Sequence, residues 1–573
     1  MILLHSAIEE RGHALVTPFD RIRGSEWAAV QTPERYKGGT VFKNRETGLP
    51  GALSPDSQNA DGPAHGEPIQ IHAFAHRAFL ALTVALSVIC ADAQQPAPAG
   101  VKVDWDKVIV VSRSVPTLQV VVNPMTVPGS PMHDGTFTAL KDLGADYVRY
   151  VPWLPYPKWA VAELEPPANG KTSWDFSAID PQTKDFMDAT AGHRVILNFS
   201  TMPAWMFKTP KPVTYPADAT KPVWDYTQGT ELVDPTGRQI GDYYGRLVSW
   251  YVKGGFTDEL GVRHDSGHHY TIPIWEVLNE PEFEHNTTPQ QYTERYDAIV
   301  EGIRKVSPAT KFMGMALAQP SLVPEYFEYF LNPKNHKPGI PIDYISYHFY
   351  ASPSPSQTIA DWQYTFFDQA DGFLHTVRYA ESIRKRLAPN TKVDLDELGV
   401  ILDDDNTSDK PYRVKDRVPA EYWNLAGAVY AYLYVELAKQ QIDIVGESQL
   451  VGYPTQFPSV SMMDWDNSKP NARYWVLKLL KDNFGPGDKL VDTSLTGSLA
   501  PDVAAQAFAT SHGKKLLLVN KRDRPFEIPL PPGSEHAAAV TVDVQSDEGP
   551  ARSVAAEGGK IRLEPFAVTV VSW

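Results

Sequence analysis

The chain has 573 residues, which allows about two or three domains. Hydrophobic residues make up 42% of it, including 14 Trp and 26 Tyr, so the chain can bury a large core. This excludes a disordered or fibrous protein. The formal net charge of −16 at pH 7 argues against a nucleic-acid partner, because binding to phosphates requires a basic face.

An uncharged apolar run, Ala78–Ala91, lies between two basic residues and the sequence Ala91-Asp92-Ala93. This pattern is typical of a secretory signal peptide, and the run is short for a membrane-spanning helix. We therefore expect residues 76–93 to be removed, leaving a secreted or periplasmic protein that no membrane holds. A buried helix is the alternative. The only cysteine, Cys90, would leave with this segment, so we expect no disulfide.

Residues 1–75 are unusual because they precede a signal peptide. They are polar and rich in turn-forming residues, and no Met occurs between Met1 and Met125. We expect a mis-assigned gene start or a disordered extension, with translation beginning shortly before His72 at a non-Met codon that is read as Met. Peptides from residues 1–60 in the precursor would contradict this expectation.

Strand and helix patterns alternate regularly from residue 117 onward. The predicted strands are Leu118–Asn123, Asp146–Pro152, His193–Ser200, Tyr270–Glu280, Lys311–Ala316, Ile342–Tyr350, Lys392–Gly399 and Ile442–Ser448. The helices predicted to follow them are Thr136–Leu143, Pro181–Ala191, Asp242–Lys253, Pro289–Val306, Pro324–Phe330, Phe373–Leu387, Pro419–Lys439 and Ala472–Asn483. Such a series predicts an α/β fold, a (β/α)8 TIM barrel over residues 117–485. An open doubly wound sheet is the alternative, although no Gly-rich phosphate loop follows the first strand.

The helical pattern stops near residue 485. The short strands predicted after it are Ala505–Thr510, Lys515–Asn520, Phe526–Leu530, Ala539–Val544 and Ala567–Trp573. Their spacing and the turn residues between them predict an antiparallel β-sandwich accessory domain over residues 486–573. We expect residues 94–116 to form a linker and a strand, Lys107–Val111, that joins the accessory sheet.

Three ionisable residues end predicted barrel strands, where barrel enzymes place their chemistry. Glu280 ends the fourth strand, His348 the sixth and Glu397 the seventh. Carboxyl groups on the fourth and seventh strands face each other across the barrel mouth, and glycoside hydrolysis requires two opposed carboxyls. A gap of about 5–5.5 Å would imply retention of configuration, and one of about 6.5–9.5 Å would imply inversion.

Two segments resemble the acid/base and nucleophile strands of clan A glycoside hydrolases. They are Trp275-Glu-Val-Leu-Asn-Glu-Pro-Glu282 and Val393-Asp-Leu-Asp-Glu-Leu398. Together with Ser346-Tyr-His-Phe-Tyr350, they are most similar to family 39, the β-xylosidase and α-L-iduronidase family. The resemblance covers Thr117–Asn483, and that family shows a shorter Glu-centred pattern at the seventh strand. It implies a glycosidase that acts on an oligosaccharide or polysaccharide.

The resemblance assigns Glu280 as the general acid/base and Glu397 as the nucleophile. It implies that Asn279 binds the sugar 2-hydroxyl and that Arg149 pairs with Glu397. His348 would position the nucleophile or a sugar hydroxyl, as would the aromatic pair Tyr347 and Tyr350. Strand alternation places Asp394 and Asp396 on the face opposite Glu397. Among aromatic residues near strand ends, Tyr350, Trp205 and Trp465 are candidates to stack on sugars, with a core position as the alternative.

Two clusters contain residue types that ligate metals. His264, His268 and His269 lie in a Gly-containing loop, and Asp403–Asp405 follow the seventh strand. Metal sites usually hold their ligands on rigid elements, so we expect solvated loops. The two-carboxyl mechanism requires neither a metal nor a cofactor, and we expect none.

We therefore expect an exported, retaining and exo-acting glycosidase with β-xylosidase-like activity. The long segment Pro203–Arg238 could close one end of the cleft and favour a pocket. An endo-acting glycanase of the same clan and a non-catalytic carbohydrate-binding protein are the alternatives. The oligomeric state and the sugar stay open.

Overall fold

The computed structural model describes residues 99–223, 230–402, 405, 414–454, 456–534 and 536–573. The predicted signal peptide and residues 1–75 lie outside this part of the chain, as do Asp403 and Asp404.

The strands are, in chain order, β1 (Gly100–Val111), β2 (Val115–Val121), β3 (Val148–Val151), β4 (Val195–Leu197), β5 (Gly255–Thr257), β6 (Arg263–Asp265), β7 (Ile274–Glu276), β8 (Lys311–Leu317), β9 (Tyr344–Ala351), β10 (Lys392–Val400), β11 (Ile444–Glu447), β12 (Met463–Asp464), β13 (Lys469–Pro470), β14 (Lys489–Thr496), β15 (Val503–Thr510), β16 (Gly513–Asn520), β17 (Phe526–Pro529), β18 (Ala538–Val542), β19 (Arg552–Val554), β20 (Lys560–Leu563) and β21 (Val568–Ser572). The helices are α1 (His133–Leu143), α2 (Asp180–Ala189), α3 (Arg238–Val252), α4 (Pro289–Val306), α5 (Glu325–Phe330), α6 (Ile359–Leu387), α7 (Ala420–Lys439) and α8 (Ala472–Asn483).

The first part of the fold is a closed barrel of the strands β2, β3, β4, β7, β8, β9, β10 and β11. Neighbouring strands pair in parallel, and β11 closes the ring against β2 with Glu447 opposite Leu118. A helix follows each of these strands, which buries the strands on both faces and accounts for their Val, Ile and Leu content. The structure confirms the predicted (β/α)8 barrel.

Strand β7 is much shorter than predicted. The sequence indicates a strand over Tyr270–Glu280, whereas β7 covers Ile274–Glu276. Leu278 and Glu280 adopt positive φ angles of 64° and 39°, which a continuous strand does not allow. The chain therefore leaves the sheet just before Glu280.

Helix α6 is longer than predicted. It begins after Thr358, whose side chain forms a capping box with Asp361. The sequence predicts a start only at Phe373, whereas the helix already includes Gly372. A glycine inside a helix costs about 1 kcal/mol relative to alanine, and a helix of 29 residues accommodates that cost.

The second part of the fold is an antiparallel sheet in the order β1, β14, β15, β16, β21, β18 and β19. It contains β1, so a strand that precedes the barrel pairs with one that follows it. Strands β17 and β20 form a two-stranded ribbon, and their Ile528 and Ile561 share one hydrophobic core with Leu516 and Leu518 of the sheet. In the described residues, the second layer of the sandwich is this ribbon.

The opposite face of the sheet packs on the barrel. Leu517 of β16 belongs to the same hydrophobic core as the barrel helices. Arg522 Nη1 donates to the carbonyl oxygen of Gln363 in α6 at 3.0 Å, and Trp475 Nε1 of α8 donates to that of Glu548 at 3.0 Å. Among the described residues, none of the helices is long and apolar enough to cross a membrane.

Candidate active site

Four barrel segments bring the principal candidate residues together. Arg149 lies on β3, His348 on β9 and Glu397 on β10, and Glu280 lies shortly after β7. All four residues are buried. Parallel barrel strands end at the same rim, which is why residues far apart in the sequence meet here.

Arg149 is the central cation of the site. Its Nη1 donates to Oε1 of Glu397 at 2.6 Å, and its Nη2 donates to Oδ1 of Asn279 at 2.7 Å. Nε donates to Oε2 of Glu276 at 2.5 Å, and Nη1 also donates to Oε1 of Gln119 at 2.7 Å. The rigid planar guanidinium suits several acceptors at once, so Arg149 fixes the positions of Glu397 and Asn279.

Glu397 is held at both carboxylate oxygens. Arg149 donates to Oε1, and the Tyr350 hydroxyl donates to Oε2 at 2.6 Å. The Tyr350 oxygen is also 2.5 Å from Oγ of Ser448. Glu397 is therefore oriented by a cation on one side and a phenol on the other, as a positioned nucleophile requires.

Glu280 lies in an environment that favours its protonated form. Its Oε1 is 3.0 Å from Nδ1 of His348. Burial raises the pKa of Glu280 above its usual value; the hydrogen bond with His348 opposes this rise, and the charge of Glu397 adds to it. A carboxyl group that retains its proton in this way can act as a general acid.

The two carboxyl groups are close together. One oxygen of Glu280, one oxygen of Glu397 and a ring nitrogen of His348 all lie within 4.8 Å of one another. Retaining glycosidases place their carboxyls about 5–5.5 Å apart, whereas inverting enzymes leave about 6.5–9.5 Å for a water molecule. The approach of these two oxygens to within 4.8 Å is nearer to the shorter separation than to the longer one.

The same three side chains offer atoms that could ligate a metal ion. Two features oppose this use. His348 Nδ1 is at hydrogen-bond distance from Glu280, and the positive charge of Arg149 lies 2.6 Å from Glu397, where it would repel a cation. The arrangement suits proton transfer and nucleophilic attack better than metal binding.

His348 contacts the acid/base more closely than the nucleophile. The sequence predicts that it positions the nucleophile or a sugar hydroxyl, but its Nδ1 is 3.0 Å from Glu280 and 3.6 Å from Glu397. Burial would lower the pKa of His348, yet the charges of Glu397 and Asp396 outweigh burial and raise it well above the usual value. These charges favour the imidazolium form of His348, whose Nδ1 lies at hydrogen-bond distance from Glu280.

The prediction that Asp396 lies opposite Glu397 is wrong. Arg149 lies 2.9 Å from Oδ2 of Asp396 and 2.6 Å from Oε1 of Glu397, so both carboxyls point toward the same cation. The register of β10 shifts against β9 between Asp394 and Glu397. A β-bulge of this kind breaks the alternation of side chains, and adjacent carboxyls then face the same side.

Asn279 is already engaged by the protein. Its Oδ1 accepts from Arg149, and its Nδ2 donates to Oε1 of Glu284 at 2.8 Å. The same oxygen of Glu284 accepts from Nε1 of Trp153 at 2.5 Å. One amide hydrogen on Nδ2 and the second lone pair of Oδ1 stay available for the predicted contact with a sugar hydroxyl.

The two tryptophan candidates contact other parts of the chain. Nε1 of Trp205 donates to the carbonyl oxygen of Glu163 at 2.9 Å, and the ring of Trp465 lies 5.9 Å from that of Tyr453. Neither contact involves Glu280 or Glu397, so stacking on a sugar stays a prediction for both tryptophans.

Sequence analysis missed the inner layer of the site. Glu276 accepts from Arg149, from Ser346 at 2.5 Å and from Asn198 at 2.6 Å. Burial raises its pKa to about 7; Arg149 opposes the rise, and Asp396 adds to it. A glutamate within an apolar strand, four residues before Glu280, was the available signal.

The other clusters with metal-ligating residue types are engaged in hydrogen bonds. His264 Nε2 is 2.9 Å from Asp258, and His268 Nε2 is 3.2 Å from Asp180. Of the acidic loop, the structure describes Asp405, whose Oδ2 accepts from Oγ of Ser459 at 2.8 Å. These contacts account for the His264, His268 and Asp405 side chains.

The barrel and its paired carboxyls define a clan A glycoside hydrolase. Residues 133–412 match the model of glycosyl hydrolases family 39, so the barrel of this chain is similar to that family. Residues 501–571 match the model of the D-apionate lactonase C-terminal immunoglobulin-like domain. No curated protein matches the chain by sequence.

Solved structures of glycosidases share this fold. The family 51 arabinofuranosidase from Xanthomonas axonopodis pv. citri is 12% identical, with a TM-score of 0.56, and the match covers 83% of this chain and 99% of that one. The family 51 α-L-arabinofuranosidase from Bifidobacterium longum is 13% identical, with a TM-score of 0.56 over 83% and 99%. The catalytic domain of the family 30 xylanase C from Talaromyces cellulolyticus is 11% identical, with a TM-score of 0.51 over 82% and 99%.

Proposed function

We propose that the chain is a retaining glycosidase that hydrolyses O-glycosidic bonds by double displacement. Glu280 is the acid/base and Glu397 is the nucleophile. The observation that carries this proposal is the close approach of the two carboxyl groups, with oxygens within 4.8 Å of each other.

In the first step Glu397 attacks the anomeric carbon while the proton of Glu280 passes to the departing oxygen. The glycosidic bond breaks as the bond to Glu397 forms. In the second step Glu280, now a carboxylate, takes a proton from a water molecule that attacks the same carbon. The bond to Glu397 breaks, and both residues return to their starting forms.

Arg149 and Tyr350 hold the nucleophile in place through both steps. Each donates to a different oxygen of Glu397, so the carboxylate is oriented before substrate arrives. Preorganised donors avoid the cost of reorganisation during the reaction.

We infer that the substrate is a neutral sugar, and β-xylosidase-like activity is the leading choice. Two further carboxyl groups lie near Glu280, those of Glu282 and Glu284. Burial raises the pKa of Glu282 to about 7, and burial followed by the charge of Glu280 raises that of Glu284 well above its usual value. A uronide would bring a further carboxylate into the same buried surroundings, which disfavour the charged form of a carboxyl group.

We also infer that the enzyme removes single sugars from a chain end. Support comes from loops that join across the barrel rim. In the segment Pro203–Arg238, the amide of Val223 donates to the carbonyl oxygen of Pro155 in the loop after β3 at 2.8 Å. Trp153 of that loop lies 6.2 Å from Phe457 in the loop after β11. Loops that contact one another around the rim favour a pocket over an open cleft.

Hydrolysis of an aryl glycoside panel by the purified protein tests this function. The panel contains xylosides, arabinosides, glucosides, galactosides and uronides, and the xyloside is expected to react fastest. Silence toward the panel with cleavage of a xylan polymer would show an endo-acting enzyme. Sugar binding without any hydrolysis would show a carbohydrate-binding protein.

Two variants separate the roles of the carboxyls. Glu280→Gln is expected to lower kcat/KM about 10²- to 10⁴-fold on substrates with poor leaving groups, and far less on 2,4-dinitrophenyl glycosides, whose leaving group requires no proton in the first step. Glu397→Gln is expected to abolish hydrolysis of both kinds. Equal losses on both kinds of substrate in Glu280→Gln would contradict its role as the acid.

We propose further that the protein is exported. The apolar run Ala78–Ala91 and the site after Ala93 support this proposal. Intact-mass analysis of the periplasmic and secreted fractions is expected to find a chain that begins at Gln94. A cell-associated protein that retains residues 76–93 would contradict export.

A further inference from the structure

Asp396 connects the two cations of the active site. Its side chain is 1% exposed. Oδ2 lies 2.9 Å from Nε of Arg149, and Oδ1 lies 3.6 Å from Nε2 of His348. Arg149 in turn binds Glu397, and His348 binds Glu280. One buried carboxylate thus contacts both cations that hold the catalytic carboxyls.

The bulge in β10 creates this connection. Without the register shift after Asp394, Asp396 and Glu397 would point to opposite sides of the strand. With it, Glu397 reaches the rim and Asp396 lies below it. Asp396 is buried from solvent, and the cations that it contacts are Arg149 and His348.

We propose that Asp396 is a positioning residue that holds Arg149 against Glu397 and the imidazolium of His348 against Glu280. This inference rests on the proposed function, because it concerns the same pair of carboxyls. The titratable and charged groups that face Asp396 are Arg149 from β3, Glu276 from β7, His348 from β9, and Asp394 and Glu397 from its own strand.

The charge state of Asp396 distinguishes it from its neighbour Asp394. Burial would raise the pKa of Asp396, but Arg149 and His348 outweigh burial and hold it below the usual value. Burial raises the pKa of Asp394 well above its usual value, and the charge of Asp396 adds to this. These surroundings favour the charged form of Asp396 and the neutral form of Asp394.

This difference provides a matched pair of variants on one strand. Asp396→Asn removes a buried negative charge next to both cations. Asp394→Asn replaces an acid whose neutral form is favoured with a neutral amide of the same shape. Among the described residues the oxygens of both aspartates lack a hydrogen-bond partner, so the two positions differ in the ion pairs that Asp396 forms with Arg149 and His348. Both side chains are equally buried, so a general effect of altering the barrel interior would appear in both variants.

Removal of the Asp396 charge has a defined effect on the pH profile. A buried negative charge raises the proton affinity of each titrating group near it, so its loss lowers the pKa of the coupled unit of Glu280 and His348. The basic limb of kcat/KM reports loss of the acid's proton in the free enzyme. This limb is expected to move to lower pH in Asp396→Asn and to stay in place in Asp394→Asn.

The experiment measures kcat, KM and the pH profile of the full chain and both variants on the best aryl glycoside. Asp396→Asn is expected to lower kcat about ten- to a hundredfold with little change in KM, because the residue does not touch substrate. An unchanged basic limb in Asp396→Asn, or the same shift in both variants, overturns the inference. The proposed function fails separately, if the wild-type protein is inactive or if Glu397→Gln retains activity.

A second measurement determines the charge of His348 in the wild-type protein and requires no activity from any variant. The ¹⁵N shifts of His348, assigned by comparison with His348→Gln, are expected to be those of an imidazolium near pH 7. A neutral imidazole at that pH would show that Asp396 does not hold a charged His348, and it would overturn the inference.

Discussion

In the active site, two buried cations are the counter-charges of a larger number of carboxyl groups. Arg149 and His348 are surrounded by Glu276, Glu280 and Glu397, together with the aspartates of β10. A buried carboxyl requires either a counter-charge or a proton. The site therefore divides its carboxyls into charged ones, held by the cations, and protonated ones, and the acid/base is drawn from the second group.

Glu163 shows the same physics outside the site and gives a prediction about stability. Glu163 is 1% exposed. Burial, followed by interaction with Glu259, raises the pKa of Glu163 to about 9. An unfolded glutamate loses its proton near 4.5. Between these pH values the folded state binds more protons than the unfolded state, so this residue's contribution to stability falls as the pH rises.

Glu163→Gln imitates the protonated acid and removes this pH dependence. We expect the Tm of the variant to exceed that of the wild type by a few degrees near pH 8, with little difference near pH 5. Glu165→Gln, the same change at an exposed neighbour, serves as the control and should show no such divergence. A variant that is no more stable at the higher pH would contradict the assignment.

At the scale of elements, the sequence predicts best those boundaries that local chemistry decides. Helix α4 covers the predicted residues Pro289–Val306 because Thr288 and Gln291 form a capping box. Helix α8 covers its predicted residues because the Asn471 side chain caps its first turn. These signals lie within a few residues of the boundary that they define.

The β10 bulge could not be predicted in the same way. Whether Asp396 faces the same side as Glu397 depends on the register of β10 against β9 and β11. A long helix separates β10 from each of these strands along the chain, so no local sequence signal reports the register. The identities of Glu280 and Glu397 were readable from motifs, whereas their connection through Arg149, His348 and Asp396 depends on tertiary packing. The motifs therefore indicate Glu280 and Glu397, whereas the residues beneath them could not be predicted.

The close packing of helices α3 and α4 at two glycines gives a prediction about stability. A methyl group added at Gly302 would overlap the carbonyl oxygen of Gly241, so Gly302→Ala must push the two helices apart. We expect a loss of about 1–3 kcal/mol in the free energy of unfolding, measured by urea denaturation. Gly372→Ala, in an exposed part of α6 with no atom nearby, is the control and should gain up to about 1 kcal/mol.

At the scale of the whole molecule, the accessory sheet and the barrel share one hydrophobic core. Leu517 of β16 packs in the core of the barrel helices, while its neighbour Leu518 packs against the ribbon of β17 and β20. Relative motion of domains is expected unless their interface is large and apolar. The shared core indicates that the two parts unfold together.

Calorimetry of two alanine variants tests this coupling. Leu517→Ala and Leu518→Ala are each expected to cost about 2–5 kcal/mol and to lower the temperature of one common transition. A separate early transition in Leu518→Ala, with the barrel transition unmoved, would show that the sheet unfolds on its own.

The stereochemistry of the first product tests the central claim most directly. Proton NMR during hydrolysis of the best aryl glycoside shows which anomer forms before mutarotation. Double displacement through Glu397 inverts the anomeric carbon twice, so we expect the first product to keep the configuration of the substrate. A first product of inverted configuration would contradict the assignment of Glu397 as the nucleophile.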